Sequence, residues 1–253
     1  MQKQTDNLSA YEAFLKGMHL FSIENKAALE ESLDCFRRAT ELDPRYGRAW
    51  AALGYGLMQA WRHGWRDDDA KDEAMALALR AVEFSKDDYF AQGVLGFCQY
   101  AAGRFDDAVA RYDGALALNP NDADLLVDAS EALIAVGRFR EAIEHIEKAM
   151  LLNPHVPDWY RVFLAWAYFL LGDCRRSLTE IEKIERIHPH TLRLKALDLL
   201  CLGDDANAKK VASEFSRYEP AWTLDLEKRH MPMKEEAFRG SYAQQLQRLG
   251  ILS

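Results

Sequence analysis

The sequence predicts an all-α fold: a right-handed superhelical solenoid of about six helix pairs with a C-terminal capping helix. Three observations predict it. AAGRFDDAVARYDGALALNPNDADL (101–125) is nearly repeated by AVGRFREAIEHIEKAMLLNPHVPDW (135–159), and Gly103/Gly137, Ala108/Ala142 and Pro120/Pro154 are each offset by 34 residues. A fixed period of that length marks stacked helical repeats. The pattern of a turn glycine, a small residue five later and a proline twelve after that recurs as Gly172, Ser177, Pro189 and as Gly203, Ala208, Pro220. Beyond Pro220 the period stops, and Phe238, Tyr242, Leu246 and Leu249 fall at i, i+4, i+8 and i+11, the stripe of an amphipathic closing helix.

In chain order, a lead-in (1–9) precedes six units at about 10–44, 47–86, 89–122, 123–156, 158–189 and 190–220, and 221–253 forms a link and the capping helix. The first unit carries Ser32, Ala39 and Pro44 in register. The second has Ala74 and Ala81 in place but Lys86 where proline is expected, and an insertion, QAWRHGWRDDDAKDEA (59–74), between its helices. Trp61 and Trp65 there are either functional loop residues or an extension that caps the helix. Each unit has a physical logic. Gly103 and Gly137 end a first helix, because the residue past a helix end often needs positive φ. Asp106 and Asp107 open the next helix at its positive dipole end. Ala108, Ala115, Ala142 and Ala149 allow close helix approach, and Pro120, Pro154, Pro189 and Pro220 stop the second helix. A terminal repeat needs a cap with one polar side, which the last helix supplies.

These residues resemble tetratricopeptide repeats (TPR). The family's Trp-Leu-Gly-Tyr…Ala-Phe-Ala-Pro pattern is met by Trp50, Leu53, Gly54, Ala74 and Ala81, and again by Leu95, Gly96, Ala108, Tyr112, Ala115 and Pro120. A narrower set comprises Tyr11…Phe14-Leu15-Lys16-Gly17, the tryptophan-bearing insertion, 118–122, 153–160, Met231-Pro232-Met233-Lys234 and Leu249-Gly250. It resembles the C-terminal TPR region of bacterial class III adenylate/guanylate cyclases and of some winged-helix transcriptional regulators. That resemblance implies a sensory or interaction module in signalling. The chain begins about ten residues before the first repeat, so neither a catalytic nor a DNA-binding domain is expected within it.

Composition narrows the function further. The net charge is −8 and no Lys/Arg run exceeds two residues, which argues against nucleic acid or an anionic membrane as partner. MQKQTDNLSAY lacks the apolar core of a signal peptide, so a cytoplasmic protein is expected. Cys35, Cys98, Cys174 and Cys201 form no CxxC pair and read as buried reduced thiols. No phosphate loop, GxSxG, HExxH or HxE…CxxC signature occurs, and the reading is of a non-enzyme. His188-Pro189-His190, with Glu185 nearby, reads as a polar inter-repeat turn. Glu30-Glu31, Asp67-Asp68-Asp69 and Asp87-Asp88 read as solvated turns and helix starts, so no metal and no cofactor is assigned.

The resemblance implies that the first helix of each repeat lines the concave face, with roughly its second, fifth, ninth and twelfth positions turned inward. The unit at Gly47 supplies Arg48, Ala51, Tyr55 and Met58. The unit at Tyr89 supplies Phe90, Gly93, Phe97 and Tyr100. Those at Ala123 and Asp158 supply Asp124, Val127, Glu131, Ile134, and Trp159, Val162, Trp166, Phe169. The expected binding residues are therefore Tyr55, Phe90, Phe97, Tyr100, Asp124, Glu131, Trp159, Trp166 and Phe169. The expected partner is an unidentified protein or peptide segment held in an aromatic groove, with Asp124 and Glu131 setting specificity. The absence of Lys, Asn and Arg at the fifth and ninth positions argues against a clamp for peptide C-terminal carboxylates. An open apolar groove is rarely tolerated, so the cover is a partner helix, an extended peptide or the chain's own terminal helix. A pure packing role for these aromatics is the remaining alternative. The leading function is a non-catalytic interaction or scaffold module in bacterial signalling. The regulatory tail of a cyclase or transcriptional regulator, and a small-molecule sensor, stand beside it.

Overall fold

The computed structural model describes residues 5–23, 25–185, 188–234 and 241–252. Among them are fourteen helices and no strand. The chain divides into two compact units, Met1–Pro120 and Asn121–Ser253. The N-terminal unit holds three antiparallel pairs: α1 (Leu8–Phe21) with α2 (Lys26–Leu42), α3 (Gly47–Arg62) with α4 (Asp68–Phe84), and α5 (Tyr89–Ala101) with α6 (Phe105–Leu118). In the C-terminal unit α7 (Ala123–Ala135) pairs with α8 (Phe139–Leu152), α9 (Asp158–Leu171) with α10 (Cys174–Ile181), and α11 (Pro189–Cys201) with α12 (Asp205–Tyr218). Two short helices follow, α13 (Leu224–His230) and α14 (Ser241–Arg248).

Local chemistry sets the helix ends. Gly172 has φ 89°, and behind it the Asp173 amide donates to the Tyr168 carbonyl at 2.9 Å, closing the helix with a six-to-one bond. The same bond closes α5, α7 and α11, from Arg104 to Gln99, Arg138 to Leu133 and Asp204 to Leu199. Asp122, Asp173 and Asp204 then cap α7, α10 and α12 by accepting from the amide three residues on. Between helices, small residues fill the closest contacts: Ala74, Ala81, Ala108, Ala115, Ala142, Ala149, Ser177 and Ala208 are all 0 % exposed. At Gly17 a Cβ would lie 2.5 Å from the Phe36 ring, so α1 and α2 meet at a distance only glycine permits.

Several expectations are settled or corrected here. The 59–74 stretch is mostly helical: α3 continues to Arg62 and α4 begins at Asp68, leaving 63–67 as the link. Trp61 is a helix residue whose Nε1 donates to Asp68 Oδ1 at 2.7 Å, and Trp65 stacks on His63 at 4.5 Å. Asp88 is not a solvated helix start. It caps α5 yet is 4 % exposed, because Arg48 grips it with Nε and Nη2 at 3.0 and 2.8 Å. The cysteines also divide differently from expectation: Cys174 and Cys201 form a disulfide, while Cys98 is a buried thiol and Cys35 a half-buried one. Burial alone pushes the Cys98 thiol up to about 12. In the closing amphipathic stripe Tyr242, Leu246 and Leu249 are buried, and Phe238 lies outside the described residues.

Candidate functional site

In the N-terminal unit the expected aromatic residues meet. Tyr55 on α3 packs edge-on to Phe97 on α5 at 4.7 Å, and Phe21 of α1 joins Tyr55 at 5.2 Å. The Arg62 guanidinium lies over Phe97 and Tyr100 at 5.1 and 5.7 Å. Phe97 and Tyr100 are buried, whereas Tyr55 and Phe90 are partly open. Phe90 sits beside the Arg48–Asp88 pair, with the guanidinium 5.6 Å from its ring.

In the C-terminal unit the first helices carry a face that is already occupied. Trp166 and Phe169 of α9 are 1 % and 8 % exposed, and the ring that meets both is Tyr242 of α14, at 5.7 and 6.4 Å in edge-to-face geometry. The Tyr242 hydroxyl donates to Glu227 Oε1. The other carboxylate oxygen of Glu227 accepts from Arg193 Nη1 at 2.9 Å and from Trp222 Nε1 at 2.8 Å. The Arg193 guanidinium lies over the rings of Trp166 and Trp222, at 5.3 and 5.0 Å. Burying an ion pair costs several kcal/mol of desolvation per ion unless further hydrogen bonds compensate, and Glu227, 0 % exposed, receives three donors. Burial and the Glu227 carboxylate raise the Tyr242 phenol well above its ordinary value, so it remains a donor.

Residues 231–234, which follow α13, continue this contact. Met231 and Met233 are buried, and the Lys234 amide donates to the Ala135 carbonyl at the end of α7 at 3.1 Å. Arg248 of α14 reaches Asp205 of α12 at 2.6 Å. The described residues 222–234 and 242–252 therefore touch the first helix of each repeat in this unit: α7 through Lys234, α9 through Tyr242 and α11 through Glu227.

The remaining expected residues are less covered. Trp159, half-buried, stands edge-on to Tyr160 and Phe163 at 4.5 and 6.2 Å. Asp124 is exposed and accepts from the Tyr160 hydroxyl at 2.6 Å, and Glu131 is buried on α7. His190, at the start of α11, lies against His230 and Trp222 at 4.3 and 5.4 Å. Sequence reasoning missed Arg193, Trp222 and Glu227. It saw Tyr242 only as part of a cap. Neither charge stands out in the sequence, because Arg193 shares its helix with Lys195 and Asp198, and Glu227 shares its own with Asp225, Lys228 and Arg229.

Residues 99–162 match the tetratricopeptide repeat family. No curated protein matches the sequence. Among solved structures, similar chains include PilF of Pseudomonas aeruginosa (16% identity, TM-score 0.58, 87% of this chain and 96% of that one). PilW, described as a widely conserved type IV pilus biogenesis factor, is similar at 16% identity and TM-score 0.64, over 88% of this chain and 98% of that one. A chain of the APC/C hetero-tetramer Cut9–Hcn1 is similar at 16% identity and TM-score 0.69, over 88% of this chain and 42% of that one. At such identities the likeness is one of fold: the chain has the all-helical architecture of TPR solenoids.

Proposed function

We propose that this chain is a non-catalytic protein-interaction scaffold, and that the α7–α9–α11 face of its C-terminal unit is a peptide-binding groove held closed by the chain's own C-terminal segment. One observation carries the reading. The segment binds as a peptide ligand would: an aromatic anchor on Trp166 and Phe169, a buried carboxylate on Arg193, apolar methionines and a main-chain bond to Ala135. A partner then competes with Tyr242 for Trp166 and Phe169. Trp159 extends that face, and Asp124 and Glu131 supply its charge. In the N-terminal unit Tyr55 and Phe90, with the buried Phe97 and Tyr100 behind them, offer a second aromatic surface for a protein or peptide. The hetero-tetrameric assembly named for Cut9–Hcn1 is in keeping with a scaffold role.

The setting in bacterial signalling, including the regulatory tail of a cyclase or transcriptional regulator, rests on the sequence resemblance. No helix among the described residues is long and apolar enough to cross a membrane. A cytoplasmic place fits a Cys174–Cys201 bond that is made and broken, and an oxidising compartment fits one that stays closed.

Affinity capture tests the scaffold reading, with folding verified by circular dichroism. Tyr242→Ala should retain more partner than wild type, and Tyr242→Ala/Trp166→Ala should lose it. Equal retention by both variants, or by neither, contradicts the groove.

A further inference from the structure

Cys174 and Cys201 differ sharply in their surroundings although one bond joins them. Cys174 is the first residue of α10 and 3 % exposed, following the cap Asp173. Cys201 is the last residue of α11 and open to solvent. Their Cα atoms are 6.3 Å apart, a separation that a disulfide spans without moving the backbone. One turn further into each helix, Ser177 donates to Asp198 Oδ2 at 2.7 Å. Both residues are 0 % exposed, and Asp198 Oδ1 has no hydrogen-bond partner among the described residues. Residues three apart on a helix are neighbours on one face. The disulfide and the Ser177–Asp198 bond therefore stand side by side as the covalent and polar links between α10 and α11. The bridge spans 27 residues of chain, and α10 is only eight residues long.

We propose that Cys174–Cys201 is a redox-active disulfide, opened by a small thiol or dithiol that attacks the sulfur of Cys201, the exposed partner, and that its state sets how firmly α10 is held on α11. The thiolate of the reductant forms a bond to Cys201 Sγ as the Cys201–Cys174 bond breaks. The electron pair leaves on Cys174 Sγ, at the first turn of α10 where the helix dipole favours negative charge. That thiolate then takes a proton from solvent. A second thiolate of the reductant attacks the mixed disulfide, releasing Cys201, which is protonated in turn. The reductant is oxidised by two electrons to its disulfide, and the protein gains two thiols. With the bridge open, the Ser177–Asp198 bond and apolar packing are what hold α10 to α11 among the described residues. Cys98, wholly buried, and Cys35, on a different helix, take no part.

The test uses the full chain without denaturant. Dithiothreitol is added, thiols are trapped with N-ethylmaleimide, and the sites are located by peptide mass spectrometry. Native reduction should free Cys174 and Cys201, and oxidised glutathione should close the pair again. The melting temperature should fall on reduction and recover on reoxidation. With glutathione as reductant, the mixed disulfide should sit on Cys201 in roughly tenfold excess over Cys174. In Cys174→Ser, a folded chain should form the glutathione adduct at Cys201. A bond that opens only in denaturant, a pair of thiols that oxidised glutathione does not join, or an adduct predominantly on Cys174 would each overturn the proposal.

Discussion

Glu227 of α13 is wholly buried against Arg193 of α11, with Oε2 accepting from Nη1 at 2.9 Å and the guanidinium lying over the rings of Trp166 and Trp222. A charge pair at 0 % and 1 % exposure is stable only while both partners and their extra donors remain. It therefore acts as the latch of the C-terminal segment. Removing one partner strands the other.

Glu227→Ala should lower the stability of the C-terminal unit by about 3–5 kcal/mol, because Arg193 is left charged and unpaired in the interior. Urea unfolding followed by tryptophan fluorescence measures this, since Trp166 and Trp222 report directly. A loss below about 1 kcal/mol, the range of an exposed pair, contradicts the latch.

Asp198 makes stability depend on pH. Burial raises its carboxyl from 3.8 to about 8, against a smaller opposing effect of the Ser177 hydroxyl. The folded state then keeps a proton that the unfolded chain releases near pH 4. The contribution is complete below pH 4 and is lost as pH rises towards about 8, at up to about 1.4 kcal/mol per pH unit. Asp198→Asn should lack this slope and gain on wild type across that window. Parallel stability curves from pH 5 to pH 8 would refute it.

The disulfide closes a loop with a sequence separation of 27. Under oxidising conditions Cys174→Ser should therefore cost about 3–4 kcal/mol, and dithiothreitol should lower the stability of wild type but not of the variant. Thermal melts with and without reductant decide the matter.

Two glycine substitutions should have opposite signs. Gly17→Ala places a methyl 2.5 Å from the Phe36 ring and should cost about 1–3 kcal/mol. Gly114→Ala, in the middle of α6 with nothing within 4 Å of the new Cβ, should stabilise by up to about 1 kcal/mol. Chemical denaturation of the two variants side by side checks both.

The all-helical repeat fold was legible because its determinants are local. Gly103, Gly137, Gly172 and Gly203 must each adopt positive φ, and the small residues between them must sit where helices touch, so both leave a periodic trace. Pairings across repeats leave none. Cys174 lies two residues after Gly172 and Cys201 two before Gly203, a relation that becomes a bond only once successive turns are stacked. Arg48–Asp88 is similar: Asp87-Asp88 looks like a solvated turn until a cation 40 residues earlier is placed against it. The latch was least visible, because Glu227 sits in a charged run, LEKRH, whose one buried member is set by Arg193 and Tyr242, which are remote in sequence.

The most direct measurement of the groove uses a fluorescent peptide covering residues 221–252 and follows its anisotropy with the full chain. Tyr242→Ala/Leu246→Ala, in which the segment's own anchors are cut, should bind the peptide saturably, and wild type should bind it more weakly by about tenfold or more because the site is filled. Adding Trp166→Ala to the opened variant should abolish binding. Equal binding by all three chains, or none by the opened variant, would contradict a peptide groove on α7, α9 and α11.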